Sequence, residues 1–205
     1  RHDPRTLEPK GRADFGGRFP SEGVSAHPKV DERTGEMLFF NYGLAAPHFH
    51  YGELSADGEL QRYVEVPMPG PRLPHDMAFT EHYAIVNDFP MFWDPQMMEH
   101  GLYIPRFHKD MPSRFAIIPR HGVAGEIRWF EADPTYVLHW VNAYEDGDEI
   151  VLDGFFQHRP AIAPDRRASF EENLFKYLDV TAFEARPHRW RFDLVTGVCR
   201  EEPRS

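Results

Sequence analysis

Thr135-Tyr136-Val137-Leu138-His139-Trp140-Val141-Asn142-Ala143-Tyr144 runs into Asp146-Gly147-Asp148 and then Ile150-Val151-Leu152-Asp153-Gly154-Phe155-Phe156. Two runs rich in β-branched and aromatic residues, joined by an Asp-Gly-Asp turn, read as neighbouring strands. If Thr135 to Tyr144 is one strand, its side chains alternate between faces. Thr135, Val137, His139, Val141 and Ala143 then share a face that is small apart from the histidine. Tyr136, Leu138, Trp140, Asn142 and Tyr144 share a bulky, mostly aromatic one. One face of such a strand lines a cavity or crowded axis, and the other packs on a sheet.

The same grammar extends in both directions. Met37 to Tyr42, Leu60 to Val66, Tyr83 to Val86, Phe115 to Pro119 and Glu126 to Glu131 are further strand-like runs. Asp31 to Gly35, Asp57-Gly58, His121 to Gly125 and Thr196-Gly197 punctuate them. Short strands at close spacing predict an all-β sandwich, barrel or propeller. One short helix is expected over Arg167 to Leu178, where Phe170, Leu174, Phe175 and Leu178 recur at helical spacing. The connection from Phe89 to Ser113 carries Phe92, Trp93, Met97, Met98 and Tyr103 and is too apolar for a simple solvated loop. Its apolar side chains suit core packing, a substrate tunnel or a membrane surface. No internal repeat and no linker divides residues 1–205, so one domain is expected.

Composition excludes some partners. The net charge is −10 and no basic stripe is present, which argues against nucleic acid. No apolar run approaches the ~20 residues of a membrane-spanning helix, which leaves peripheral membrane contact open. The single cysteine, Cys199, allows no internal disulfide and nothing near Arg1 reads as a signal peptide, so a cytoplasmic location is the expectation. The chain opens on Arg1 and stops soon after a strand-like run. It is therefore expected to be an internal piece of a longer protein.

Three of the twelve histidines stand in similar settings: Ala26-His27-Pro28, Pro74-His75-Asp76 and Leu138-His139-Trp140. Pro28 pushes His27 toward extended backbone, and Pro74 stiffens the approach to His75. Widely spaced histidines in separate strand-like segments suit a metal whose ligands converge from several blades. Neutral imidazole favours iron, copper, nickel or zinc over calcium or magnesium. In extended backbone, alternation turns Asp76 away from any metal held by His75. His48 and His50 read as surface histidines near a turn, Glu145 as a structural hydrogen-bond partner, and Cys199 as a thiol without a catalytic role.

These residues also carry a resemblance. Ala26-His27-Pro28-Lys29-Val30-Asp31, Thr34-Gly35-Glu36, Pro74 to Glu81, Tyr83-Ala84-Ile85-Val86 and His139 to Glu145 resemble the carotenoid cleavage oxygenases. Pro119-Arg120 and Ile127-Arg128-Trp129-Phe130 extend the match. Thr6-Leu7-Glu8 through Asp14-Phe15-Gly16-Gly17 is similar to the bacterial lignostilbene dioxygenase branch in particular. The resemblance implies a seven-bladed β-propeller, of which this chain supplies roughly three to four blades. It also implies a single non-haem Fe(II) held by four histidines, with His27, His75 and His139 on the first three ligand positions. The fourth ligand, the glutamates that orient the imidazoles, and the lysine and tyrosine that hold a substrate phenol are implied outside this chain.

The implied reaction inserts both atoms of O2 across an alkene and yields two carbonyl products. A small hydrophobic alkene is then the substrate, with a stilbene-like phenylpropanoid ahead of an apocarotenoid. Two other readings stay open: a non-catalytic propeller module that holds no iron, and a histidine–metal hydrolase, which would need a general base and would work without oxygen. The oligomeric state is not legible.

Overall fold

Strand-forming residues dominate the chain, and every pairing among the described residues is antiparallel. The computed structural model describes residues 2–11, 23–93, 98–101, 103, 105–160, 167–169, 171–172 and 184–203. A first sheet holds β1 (Lys29–Val30), β2 (Met37–Tyr42), β3 (Phe49–Leu54) and β4 (Leu60–Glu65) in chain order. A second holds β5 (Ala78–Phe79) and β6 (Tyr83–Asp88), then β9 (Ser113–Pro119) and β10 (Arg128–Ala132). Between β6 and β9 the chain inserts a two-stranded hairpin, β7 (Met91–Trp93) and β8 (Pro105–Phe107). The third sheet runs β11 (Trp140–Asp146), β12 (Glu149–Gln157), β13 (Ala185–Asp193) and β14 (Cys199–Pro203). Three four-stranded antiparallel meanders in succession are three propeller blades, matching the expected partial propeller.

Period-two alternation explains how the blades stack. Ala84 and Val86 of β6 and Ala116 and Ile118 of β9 point toward the first blade, meeting Leu38, Phe40, Phe49 and Tyr51. Ile85 of β6 and Phe115 and Ile117 of β9 point the opposite way, meeting Ile150, Leu152, Trp190 and Phe192. The middle blade is thus covered on both faces, which is why its strands read as continuous apolar runs. Close packing also dictates two glycines. A Cβ at Gly52 would fall 2.1 Å from Phe39 Cζ, and one at Gly154 would fall 2.8 Å from Trp140 Cε3.

Several expected boundaries move. The strand expected over Thr135 to Tyr144 starts only at Trp140. Thr135 instead bonds Gln157 in both directions, its Oγ1 donating to the carbonyl at 3.1 Å and accepting the amide at 3.0 Å. Tyr136 Oη donates to the Leu73 carbonyl at 2.9 Å. Side-chain bonds of this kind replace a ladder, so Tyr136 and Val137 are both buried and the strict two-face alternation does not hold there. The strand expected over Glu126 to Glu131 begins at Arg128, because Ala124–Glu126 forms a 3-10 turn in which Glu126 Oε2 accepts the Val123 amide at 3.1 Å.

Strands β3, β13 and β14 carry no clear sequence signal, being broken by His, Gly, Pro and charged residues. His50 therefore lies within a central strand, stacked on Tyr63 at 4.6 Å, rather than at a surface turn. Most of the expected helix over Arg167 to Leu178 lies outside the described residues. At its start, the Ser169 and Glu172 side chains accept each other's amide, at 3.2 and 2.8 Å, as a capping box. Among the described residues, no helix is long and apolar enough to cross a membrane.

Candidate metal centre

The first strand of each blade is preceded by one of the three histidines. His27 lies two residues before β1, His75 three before β5 and His139 one before β11. Because β1, β5 and β11 begin their blades side by side, the three imidazoles converge although the outer two stand 112 positions apart in the chain. His27 Nε2 and His75 Nε2 are 3.1 Å apart. The His139 ring stands edge-on to both, with centroids 4.8 Å from His27 and 4.9 Å from His75. One nitrogen from each ring lies within 4.8 Å of the others, and among the described residues no other group of three His, Cys, Asp or Glu side chains converges this way.

This donor set fits a transition metal. Two nitrogens bonded at about 2.1 Å and at right angles stand roughly 3 Å apart, close to the His27–His75 spacing. A shared metal allows no pair more than about 4.2 Å apart, so the widest spacing has to close slightly. His139 is exposed and His27 and His75 are half-buried, which leaves the exposed ring free to make that adjustment. Burial first, and then the neighbouring His27 and His139, pull the His75 pKa below its ordinary value. Its lone pair is consequently available at neutral pH, as metal ligation requires.

The Asp76 carboxylate bonds partners other than the imidazoles, although its charge acts on His75. It is 3% exposed, and its Oδ1 accepts the Met77 amide at 2.8 Å and pairs with Lys29 Nζ at 2.6 Å. Its Oδ2 accepts the Trp140 amide at 3.1 Å. Adjacency in Pro74-His75-Asp76 marked this residue in the sequence, but nothing there pointed to Lys29 or to the amide after His139.

Two more polar groups tie the blades together further along the strands. The buried Arg120 guanidinium donates to Asp31 Oδ2 (2.8 Å), Glu36 Oε2 (2.9 Å) and the carbonyls of Thr80 (2.9 Å) and Glu81 (3.1 Å), joining the first blade to the second. Glu145 accepts from Thr80 Oγ1 (2.6 Å), the His82 amide (2.9 Å) and His82 Nδ1 (2.8 Å), joining the second to the third. The structural role expected of Glu145 is the one its contacts describe. A cleft of about 380 Å³ opens along β1, β5 and β11, and its charged side chains are all paired, Arg33 Nη1 with Glu81 Oε2 at 3.0 Å and Lys29 Nζ with Asp76 Oδ1 at 2.6 Å among them.

The chain is similar to proteins of known activity. It is 38% identical over 148 residues to carotenoid 9,10(9',10')-cleavage dioxygenase 1 of Pisum sativum, covering 71% of this chain and 27% of that protein. It is 31% identical over 193 residues to resveratrol cleavage oxygenase 1 of Aspergillus fumigatus, covering 91% of this chain and 39% of that protein. The crystal structure of Pseudomonas brassicacearum lignostilbene dioxygenase superposes with a TM-score of 0.80 at 29% identity, over 98% of this chain and 42% of that one. The chain thus spans between about a quarter and two fifths of these relatives. The model of the family described as RPE65, retinal pigment epithelial membrane protein, matches residues 1–205, and the chain belongs to this family, that of the carotenoid cleavage oxygenases.

Proposed function

We propose that the protein containing this chain is a non-haem iron(II) dioxygenase that splits an alkene with O2 into two carbonyl products, acting on a stilbene-like phenylpropanoid. The observation that carries the reading is the convergence of His27, His75 and His139 from three different blades. When bound, iron supplies the redox centre at which dioxygen is activated. The chain's own residues hold and orient that centre. Three neutral imidazoles contribute no charge, so the ion keeps its full positive charge, unlike an ion in a site with a carboxylate ligand. A fourth ligand is expected from chain beyond these residues. No side-chain base is assigned, because the net reaction adds O2 across one double bond without consuming or releasing a proton.

The match to the resveratrol-cleaving relative over 193 residues supports the phenylpropanoid substrate. The higher identity to the pea enzyme over 148 residues favours an apocarotenoid as the second reading. The test uses the full-length protein, loaded with Fe(II) under air and offered resveratrol, a lignostilbene and a β-apocarotenal in turn. Aromatic aldehydes from the first two support the phenylpropanoid reading, and cleavage of the third alone supports the second reading. Turnover that persists under argon, or that survives His75→Ala, overturns both.

A further inference from the structure

We infer that Asp76 is the positioning residue of the three-histidine site, holding the three ligand-bearing segments at a fixed spacing through one buried carboxylate; the inference rests on the metal reading above. Each of its bonds reaches the segment of a different histidine. Lys29, whose ammonium is 2.6 Å from Oδ1, lies two residues after His27. Met77, whose amide is 2.8 Å from Oδ1, lies two residues after His75. Trp140, whose amide is 3.1 Å from Oδ2, directly follows His139. The Asp76 carbonyl is itself fixed, accepting Asn87 Nδ2 at 3.2 Å. A side chain only 2% exposed, bonded to three blades at once, leaves little freedom for any of the three segments to drift.

All three partners are donors, so the site demands a group that accepts at both oxygens. A carboxylate does so. An asparagine of the same shape turns one NH2 toward a donor, which breaks at least one of the three links while preserving volume. A second buried carboxylate provides the comparison. Asp88 is as buried as Asp76 but bonds Arg72 and Arg114, away from the histidines. Removing its charge weakens the fold without loosening the site.

The experiment uses the full-length protein stripped of metal and titrated with Co(II) against a chelating dye, with visible absorption reporting ligand geometry and far-UV circular dichroism reporting folding. Outer partners of metal ligands typically change affinity by about 10–100-fold. Asp76→Asn is expected to weaken Co(II) binding about tenfold or more and to change the visible bands while the protein stays folded. Lys29→Met, which severs only the link to the His27 segment, is expected to lose less. Asp88→Asn is expected to lower the unfolding midpoint with Co(II) affinity and bands unchanged. If Asp76→Asn and Lys29→Met both bind Co(II) within twofold of the parent with identical bands, Asp76 does not position the site and the inference is overturned. If the parent itself binds no Co(II), or binds it equally well after His27→Ala and His75→Ala, the metal reading fails and takes this inference with it.

Discussion

Arg120→Met is the most incisive test of how the first two blades are joined. The guanidinium is 2% exposed and satisfies two carboxylates and two carbonyls. Methionine fills much of the space but leaves Asp31, also buried, facing a thioether. Breaking a buried pair by removing one partner typically costs about 3–5 kcal/mol, and near-complete burial on both sides places this variant within that range. The cost should depend on pH. In the parent, the hydrogen bond from Arg120 holds the Asp31 carboxyl below its ordinary value of 3.8, against the opposing effect of burial. A depressed folded value gives stability that is present above 3.8 and is lost as pH falls through the folded value. In the variant, Arg33 still bonds Asp31 Oδ1 from its amide at 3.1 Å and from Nε at 3.4 Å, but the largest lowering cause is gone, so the folded value rises and protonation on acidification relieves the under-compensated charge. The penalty should therefore shrink between pH 7 and pH 4.5. Urea denaturation of the full-length protein at both pH values, with Asp31→Asn and the double variant completing a cycle, measures it. A penalty below about 1 kcal/mol at pH 7, far under the range for breaking a buried pair, or an equal penalty at both pH values, refutes the reasoning.

Gly154→Ala should drive a methyl group to 2.8 Å from Trp140 Cε3 and 3.3 Å from Trp190 Cζ3. Overpacking of this kind costs about 1–3 kcal/mol, and a shifted tryptophan emission together with a lower urea midpoint would register it. Glu145→Gln should cost about 1 kcal/mol, since the carboxylate is partly exposed, with faster hydrogen exchange at the His82 amide as its local signature. Burial raises the Glu145 pKa, but bonds from Thr80 and His82 outweigh it and hold the group below 4.5. That clamp therefore contributes fully above pH 4.5 and is lost as the pH falls through the folded value. Cys199 should resist iodoacetamide at pH 8 in the folded protein, because burial and then Glu201 and Asp133 push its thiol up to about 12; peptide mapping before and after denaturation checks this.

The all-β class was legible because β2, β6, β9 and β12 are apolar, β-branched or aromatic along most of their length. Strand β13, Ala-Arg-Pro-His-Arg-Trp-Arg-Phe-Asp, was not. Its apolar residues appear only at every second position near its end, and its arginines are held by pairs such as Arg189–Asp153, 2.7 Å apart across neighbouring strands. Such pairing depends on register, which a single sequence does not display. The three histidines stand out through their settings, yet the apolar pattern places His139 inside a strand that begins one residue later. The misplacement follows from Thr135 and Tyr136, whose hydroxyls satisfy backbone groups that a strand ladder would otherwise claim.

The placement of polar contacts between blades follows from what a three-blade site requires. Away from the axis, the blades meet through Leu38, Phe40, Phe115, Trp190 and Phe192, all buried completely. Apolar burial is strong but non-directional, so two faces packed this way can slide by fractions of an ångström at small cost. A ligand set tolerates errors of only about half an ångström. No single blade contains the site, and the strands beside it are short, with β1 and β5 only two residues each. Backbone ladders there are too brief to align the histidines. Hydrogen bonds, which weaken steeply with distance and angle, supply the missing precision. Arg120 spans blades one and two, Glu145 spans two and three, and Asp76 spans all three. Asp76 acts within the segments that carry the histidines, whereas Arg120 and Glu145 pin the strands that follow them, Glu145 near the far end of β11 and six positions after His139.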